Sequence, residues 1–455
     1  MQLASDDAAL RGLVLLAAAG LAVAGVLFVT TLSDEAVSQA NEDAELAPRG
    51  VHLSFTEDTS TTMTVTWFTD GGEDPGTVAQ WASTCEDLVD PDTRSSTTGS
   101  AEPLTLAPDT TVHEATMTGF EPGESFAYRV GSAAGGFSSC WETSTIPEEG
   151  PVDIAFYGDQ GLTPNAEDVR DQVLEEDPDL VLIAGDLSYA EGDPEVWDEW
   201  FEVHEELHTE TPIMTAPGNH ETYADTDPAT LPYEERLAQP GEEIYYSFDV
   251  ANMHFLVLHS DLGDAREQGV YLDMLEFAER DLEQAQAAKE AGEIDHIFVL
   301  QHHPFYSNTQ SVTRWVEPEH TVVQEQWLHR YDVAMLLTGH NHNYERTYPV
   351  AYQAPTDTSE GPYEDPIGWI QVISGGAGRG LYEIKHPNDQ LPYSATVEFA
   401  HHHTNLHVDG GEVEVEAVQA QFPAGQVLDA FTYRDTGEDT PVPTPEDARA
   451  DAPSP

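Results

Sequence analysis

The sequence predicts two folded parts in series, an all-β domain over residues 47–147 followed by an α/β domain over 151–434. Three observations carry this. In the first part apolar and polar residues alternate with a period of two, the pattern of half-buried strands. In the second, apolar runs such as Asp179-Leu-Val-Leu-Ile183 and His296-Ile-Phe-Val-Leu300 alternate with longer stretches at helical spacing. These runs lead into Gly, His or Pro, as strands do when they end in sharp loops.

At the N-terminus, Leu13 to Thr31 is almost wholly apolar, with Arg11 before it and Asp34-Glu35 after. About 20 such residues can span a bilayer, whereas a cleavable signal core has about 7–15. Residues 1–32 are therefore expected to be a retained membrane anchor, with a signal peptide cut after Ser38-Gln-Ala40 as the alternative. In both cases the remainder is exported, either held at the extracellular face of the cell membrane or secreted. Residues 33–46 read as an acidic linker, and 435–455, rich in Pro, Asp and Glu, as a disordered tail.

Within the all-β part, Met63, Val65 and Trp67 alternate with Thr64, Thr66 and Phe68. Phe126, Tyr128 and Val130 repeat the pattern after a turn at Glu121-Pro-Gly123. Short alternating strands with turns between them predict a fibronectin type III-like sandwich, with Trp67 in its core. The two cysteines, Cys85 and Cys140, both fall here, and in an exported domain they most simply form one disulfide.

In the α/β part, a strand at Val152–Phe156 precedes a helix over Asn165–Glu176, and a strand at 179–184 precedes a helix at 195–208 that carries Trp197 and Trp200 on one face. An apolar segment then leads to Gly218, and Ile244 to His259 alternates like two antiparallel strands. Tyr271, Leu275, Ala278 and Leu282 give 268–291 helical spacing, and further strands are expected at 296–300, 333–337 and 368–373.

The chain has 455 residues, with 16 Lys+Arg against 85 Asp+Glu and a net charge of −69. Such a surface repels nucleic acid and anionic lipid, because binding either depends on basic residues displacing counterions. No nucleic-acid partner is expected. Only two of the 16 cations are lysines, Lys289 and Lys385, and the acids run the length of the chain. This composition resembles that of proteins from salt-loving archaea, where dense carboxylates stay hydrated while salt screens their repulsion.

Five short motifs follow predicted strands: Gly158-Asp-Gln-Gly161, Gly185-Asp-Leu-Ser-Tyr189, Gly218-Asn-His-Glu221, Val299-Leu-Gln-His302 and Gly339-His-Asn-His342. In open α/β sheets ligands bind beyond the carboxyl ends of the strands, so motifs far apart in sequence can converge. Together they supply Asp159, Asp186, Tyr189, Asn219, His302, His340 and His342. This mixed oxygen and nitrogen set suits two adjacent first-row metals better than a calcium cage or a thiolate zinc site.

On these motifs the chain resembles the purple acid phosphatases, a branch of the dinuclear metallophosphoesterases, from Val51 to Tyr433. Tyr246-Ser-Phe-Asp249, Tyr344-Glu-Arg346 and Ser374-Gly-Gly-Ala-Gly378 add to the likeness. The resemblance implies a four-layer αββα catalytic domain behind the sandwich. It implies that Asp159, Tyr189 and His342 bind an Fe(III), that Asn219, His302 and His340 bind a divalent Fe, Zn or Mn, and that Asp186 bridges. The implied activity is hydrolysis of small phosphate monoesters by a water that the two metals activate, with His220 contacting the phosphate or protonating the leaving alkoxide. One departure is plain: a His-His pair found in related plant enzymes is Ser311-Val312 here, leaving His303 or His320 to take that place. The rival readings are a phosphodiesterase or nucleotide pyrophosphatase on the same metals, and a non-catalytic surface binding or adhesion protein.

Other residues read more plainly. His401, His402 and His403 are expected to serve packing or an exposed loop rather than a metal. Arg346 and Arg379 are candidates to bind phosphate, Arg346 equally to pair with a carboxylate, and Glu221 to orient His220 or a metal ligand. Nothing in the sequence indicates an oligomeric state.

Overall fold

The computed structural model describes residues 46–72, 75–309, 320–383 and 391–437. The expected anchor, nearly all of the linker, the Ser311-Val312 position and the tail beyond 437 lie outside the described residues. No helix among the described residues is long and apolar enough to cross a membrane.

Two sheets make the N-terminal domain. One runs in the order Arg49–Ser54, Thr62–Asp70, Thr110–Thr118, Ser100–Pro103; the other contains Ser95–Thr98, Val78–Ala82, Ser125–Ser132 and Gly136–Phe137, with Trp141–Ser144 pairing on Ser125–Ser132. The alternation fixes which side chains meet. Met63, Val65 and Trp67 from one sheet and Phe126, Tyr128 and Val130 from the other pack in a single apolar cluster. Phe68 points the other way and is still buried, because it packs on Phe201 of the following domain at 5.1 Å between ring centroids. Cys85 and Cys140 are joined by a disulfide spanning 5.9 Å between Cα atoms.

The catalytic-type domain holds two seven-stranded sheets face to face. The first contains Val152–Tyr157, Leu180–Ala184 and Ile213–Ala216 in parallel, extended by the antiparallel strands His402–Asp409, Glu412–Gln419 and Gln426–Arg434 and the short Tyr363–Glu364. The second contains Met253–Leu258, His296–Gln301, Met335–Thr338 and Ile370–Ser374 in parallel, flanked by Tyr246–Val250 on one edge and Tyr344–Thr347 and Ser394–Glu398 on the other. Continuous apolar runs occur because both faces of these strands are covered. Ile154 and Phe156 pack between the sheets against Phe255, Phe298 and Met335. Ala155 and Tyr157 face outward to a second cluster that includes Val169, Trp197 and Trp200. Those residues lie on the helices Pro164–Glu176 and Pro194–Glu210, and on the opposite side Met274, Ala278 and Leu282 of helix Tyr271–Ala291 cover Leu256, Ile297 and Leu336. The layers are therefore helix, sheet, sheet, helix.

The helix expected over 268–291 forms as Tyr271–Ala291, and a short helix not expected from the sequence precedes it. Leu262–Gln268 ends at Gly269, whose φ of 81° stops the helix with a left-handed cap, and Tyr271–Ala291 begins anew. The three adjacent histidines serve packing: His401, His402 and His403 are all buried at the start of strand His402–Asp409. Asp435 is tied to the fold by an ion pair of 2.7 Å with Lys289.

Candidate metal centre

Five parallel strands deliver the predicted side chains to one place. Asp159 follows Val152–Tyr157; Asp186 and Tyr189 follow Leu180–Ala184; Asn219 and His220 follow Ile213–Ala216; His302 and His303 follow His296–Gln301; His340 and His342 follow Met335–Thr338. Three of these strands end in turns that need left-handed backbone. Asp159, Asp186, Tyr189 and His340 have φ of 62°, 53°, 58° and 64°, a left-handed conformation that costs a non-glycine residue about 1–3 kcal/mol.

The surrounding hydrogen bonds hold that strain in place. The backbone N–H groups of Asp159, Gln160 and Gly161 donate to the carbonyls of Gly185, Asp186 and Leu187 at 3.1, 3.2 and 2.8 Å. Glu221 accepts from the backbone N–H of Asp186, Leu187 and Gly218 at 2.8, 3.0 and 2.8 Å, so it orients the Asp186 loop rather than His220. Burial, then the nearby Asp186, raises the Glu221 carboxyl to about 7. Gly218 is required by contact: a Cβ there would stand 2.2 Å from Asp186 Oδ1.

The donor atoms fall into two groups. Tyr189 Oη stands 3.2 Å from Asp159 Oδ1 and 3.1 Å from His342 Nε2, and the last two are 3.2 Å apart. In the second group, Asn219 Oδ1 is 3.2 Å from His302 Nε2 and 3.0 Å from His340 Nδ1, and these two ring nitrogens are 3.1 Å apart. Asp186 Oδ1 joins it at 3.3 Å from His302 Nε2. Ligand atoms of Asp159, Asp186 and His302 all lie within 4.8 Å of one another, so the groups are contiguous.

The chemistry of these atoms fits cations. His302 Nδ1 is engaged by the carbonyl of Ala184 at 2.7 Å and His342 Nδ1 by that of Gly380 at 2.8 Å, which leaves each neutral ring with an Nε2 lone pair facing the site. Two imidazole nitrogens and an amide oxygen converging at 3.0–3.2 Å have too few protons to bond one another fully. A cation roughly 2.1 Å from each donor would set adjacent donors about 3 Å apart. The electrostatics agree. Burial alone would lower His302, yet Asp186 and then Asp159 raise it to about 10, so the site draws positive charge to that ring. Asp186 is held below the usual carboxylate range although burial opposes this, His302 being the main counter-charge. Burial and then Asp159 and Asp186 push the Tyr189 phenol well above its ordinary value, so its phenolate needs a cation beside it.

His220 lies at the rim, its ring centroid 4.3 Å from that of Tyr189. Its Nδ1 stands 3.0 Å from Glu191 Oε1, while its Nε2 faces inward, 3.9 Å from Asp186 Oδ2. The Glu191 contact was not read from the sequence; its signal is position alone, two residues after Tyr189 on the same left-handed turn, with φ of 51°. His303 is buried behind the second group, with its ring 4.3 Å from His340 and its Nδ1 3.0 Å from Ser260 Oγ. His320 lies further back, 6.2 Å from His303, with Nε2 3.1 Å from the carbonyl of Ser260. Arg346 takes the structural alternative, gripping Asp429 through Nε at 2.5 Å and Nη2 at 3.1 Å. Tyr382 stacks on His342 with centroids 4.0 Å apart and forms another wall of the rim.

Comparison with known proteins agrees with this architecture. Residues 48–145 match the purple acid phosphatase N-terminal domain, and residues 153–344 match the calcineurin-like phosphoesterase domain. Purple acid phosphatase 23 of Arabidopsis thaliana is 30% identical over 52% of this chain, and acid phosphatase type 7 of Mus musculus is 26% identical over 88%. The match covers 57% of the first plant relative's length, 65% of a second's, purple acid phosphatase 21, and 93% of the mouse protein's. Among solved structures, a purple acid phosphatase from yellow lupin seeds superposes with a TM-score of 0.74 at 22% identity, over 88% of this chain and 78% of its own. At that identity the likeness speaks for the fold. With both domains present in order on that fold, the chain belongs to the purple acid phosphatase-like metallophosphoesterases.

Proposed function

We propose that the chain hydrolyses small phosphate monoesters at a dinuclear metal centre. Asp159, Tyr189 and His342 would hold an Fe(III), Asn219, His302 and His340 a divalent Fe, Zn or Mn, and Asp186 would be shared. The observation that carries this reading is the pair of contiguous donor groups, each with an oxygen and nitrogen set at 3.0–3.2 Å and with Asp186 against the second. The phenol of Tyr189 belongs with a hard Fe(III), which stabilises phenolate. When bound, the two cations supply Lewis-acid charge to the phosphoryl oxygens and make water acidic enough to act as nucleophile.

The chain's own residues do the remaining work. His220, steadied at Nδ1 by Glu191, turns Nε2 toward the site and would deliver a proton to the leaving alkoxide. This matters most for alkyl esters, whose leaving groups are poor. Glu221 keeps the Asp186 loop fixed through three backbone bonds, so that carboxylate does not reorient as charge develops. His303, buried and packed on His340, would limit that ring's rotation from behind the second group.

Metal-loaded protein in molar salt should hydrolyse p-nitrophenyl phosphate faster than bis(p-nitrophenyl) phosphate. The opposite order would support a diesterase, and no turnover of either would support a binding role. Fe(III) beside Tyr189 should give a violet absorption band that Tyr189→Phe removes. We further assign the protein to the outside of the cell membrane. The apolar segment Leu13–Thr31 supports this, as does the Cys85–Cys140 disulfide, which oxidising compartments favour.

A further inference from the structure

Arg379 leaves the loop that follows strand Ile370–Ser374, and its backbone N–H donates to the carbonyl of Asp159 at 3.1 Å. Its stem crosses Gly161, where a Cβ would stand 2.9 Å from Arg379 Cδ and 3.3 Å from Tyr189 Cδ2. Its guanidinium lies 4.0 Å from the centre of the Tyr189 ring. The side chain is half-buried at the mouth of the site, in a fixed position, with Gly161 opening the space it fills.

Its place beside the donor groups is what sets it apart. Five other arginines of this acidic chain have carboxylate partners: Arg49 with Asp70 and Asp198, Arg170 with Asp171, Arg330 with Glu279, Arg346 with Asp429, and Arg434 with Glu412. Arg94, Arg129 and Arg236 bond instead to backbone carbonyls or to Gln80, away from the metal centre. Among the described residues no carboxylate pairs with Arg379, although the chain has 85 Asp+Glu. A guanidinium is a planar fork that matches the oxygens of a phosphoryl group two at a time, and stacking on an aromatic ring keeps that fork oriented with its edge free.

We infer that Arg379 binds the phosphate group of the incoming ester, offering N–H groups to its oxygens at the rim of the metal centre. This rests on the monoesterase reading of the site. Arg379 also supplies a local cation where a net charge of −69 would otherwise repel an anionic substrate.

The test titrates inorganic phosphate by calorimetry into metal-loaded wild type, Arg379→Met and Arg379→Lys in molar salt. Metal content is measured on the same samples, and KM and kcat on p-nitrophenyl phosphate. Met fills similar space over Tyr189 without charge. It should weaken phosphate binding about tenfold or more, the loss expected for a hydrogen bond to a charged group. KM should rise more than kcat falls, metal content should be unchanged, and Lys should stand between Met and Arg. Equal phosphate binding by wild type and Arg379→Met would overturn the inference alone. Loss of metal in Arg379→Met would overturn it too, in favour of a packing role beneath Tyr189. A wild type that holds metal yet neither binds phosphate nor turns over ester would overturn the functional reading itself.

Discussion

Two single residues carry much of the geometry. Gly218 lies so close to Asp186 that a methyl group would overlap its carboxylate, at 2.2 Å from Oδ1. Gly218→Ala should therefore displace Asp186, lowering p-nitrophenyl phosphatase activity by about ten- to a hundredfold, the scale seen when supporting contacts of a metal site are lost. Unchanged activity and metal content would show that the Asp186 loop moves at no cost. Glu191 is the other. Its contact with His220 Nδ1 sets which nitrogen faces the substrate. Glu191→Gln should slow hydrolysis of an alkyl phosphate by about tenfold while barely changing that of p-nitrophenyl phosphate, whose leaving group needs no proton. An equal loss on both substrates would remove the acid role from His220.

At the scale of elements, the five motifs were legible because ligand-type residues follow directly on apolar runs, and three of the motifs also need a turn that few sequences supply. Asp159, Asp186, Tyr189 and His340 all take left-handed backbone, and flanking glycines mark the turns. The antiparallel strands of the C-terminal part were less evident. In Glu412–Gln419, Val413, Val415 and Ala417 are buried while Glu412, Glu414 and Glu416 face outward, a period of two that the acid coat disguises as a charge run. Arg379 was legible only as one of two candidates to bind phosphate, and Glu191 only by its position after Tyr189, because their roles depend on side chains brought from other strands. The helix Pro194–Glu210 supports a pH prediction. Burial drives His204 to about 3 and His52 beyond it to about 4, and holds His208 well below its ordinary value, with neither ring nitrogen bonded. The folded chain keeps these rings neutral, whereas the unfolded chain takes up protons below the ordinary 6.5. Their contribution is therefore intact above pH 6.5 and lost as pH falls toward the folded values, by up to about 1.4 kcal/mol per pH unit for each group. Thermal melts should show His208→Phe gaining on wild type as pH is lowered from about 7 to about 5. A constant difference between the two would mean that His208 does not titrate on unfolding.

Across the whole molecule, the sandwich is fastened to the catalytic domain by polar contacts as well as Phe68. Tyr128 Oη donates to the carbonyl of Thr209 at 2.8 Å, His52 Nε2 stands 2.9 Å from that of Arg236, and Arg49 pairs with Asp198 at 3.1 Å. Against these act the repulsions of a chain with net charge −69. At about 1 M salt the screening length is roughly 3 Å, so both self-repulsion and repulsion of an anionic ester fade. Melting temperature should rise, and KM for p-nitrophenyl phosphate fall, from low to molar KCl; a flat response in both would remove the reading of the surface as an adaptation to brine. The central claim is narrower than any of these: side chains from five strands form two adjoining cation sites. Its most direct test is the metal content of the purified wild-type chain, loaded with iron and zinc and dialysed in molar salt. Two ions per chain are expected, and one or none would contradict it.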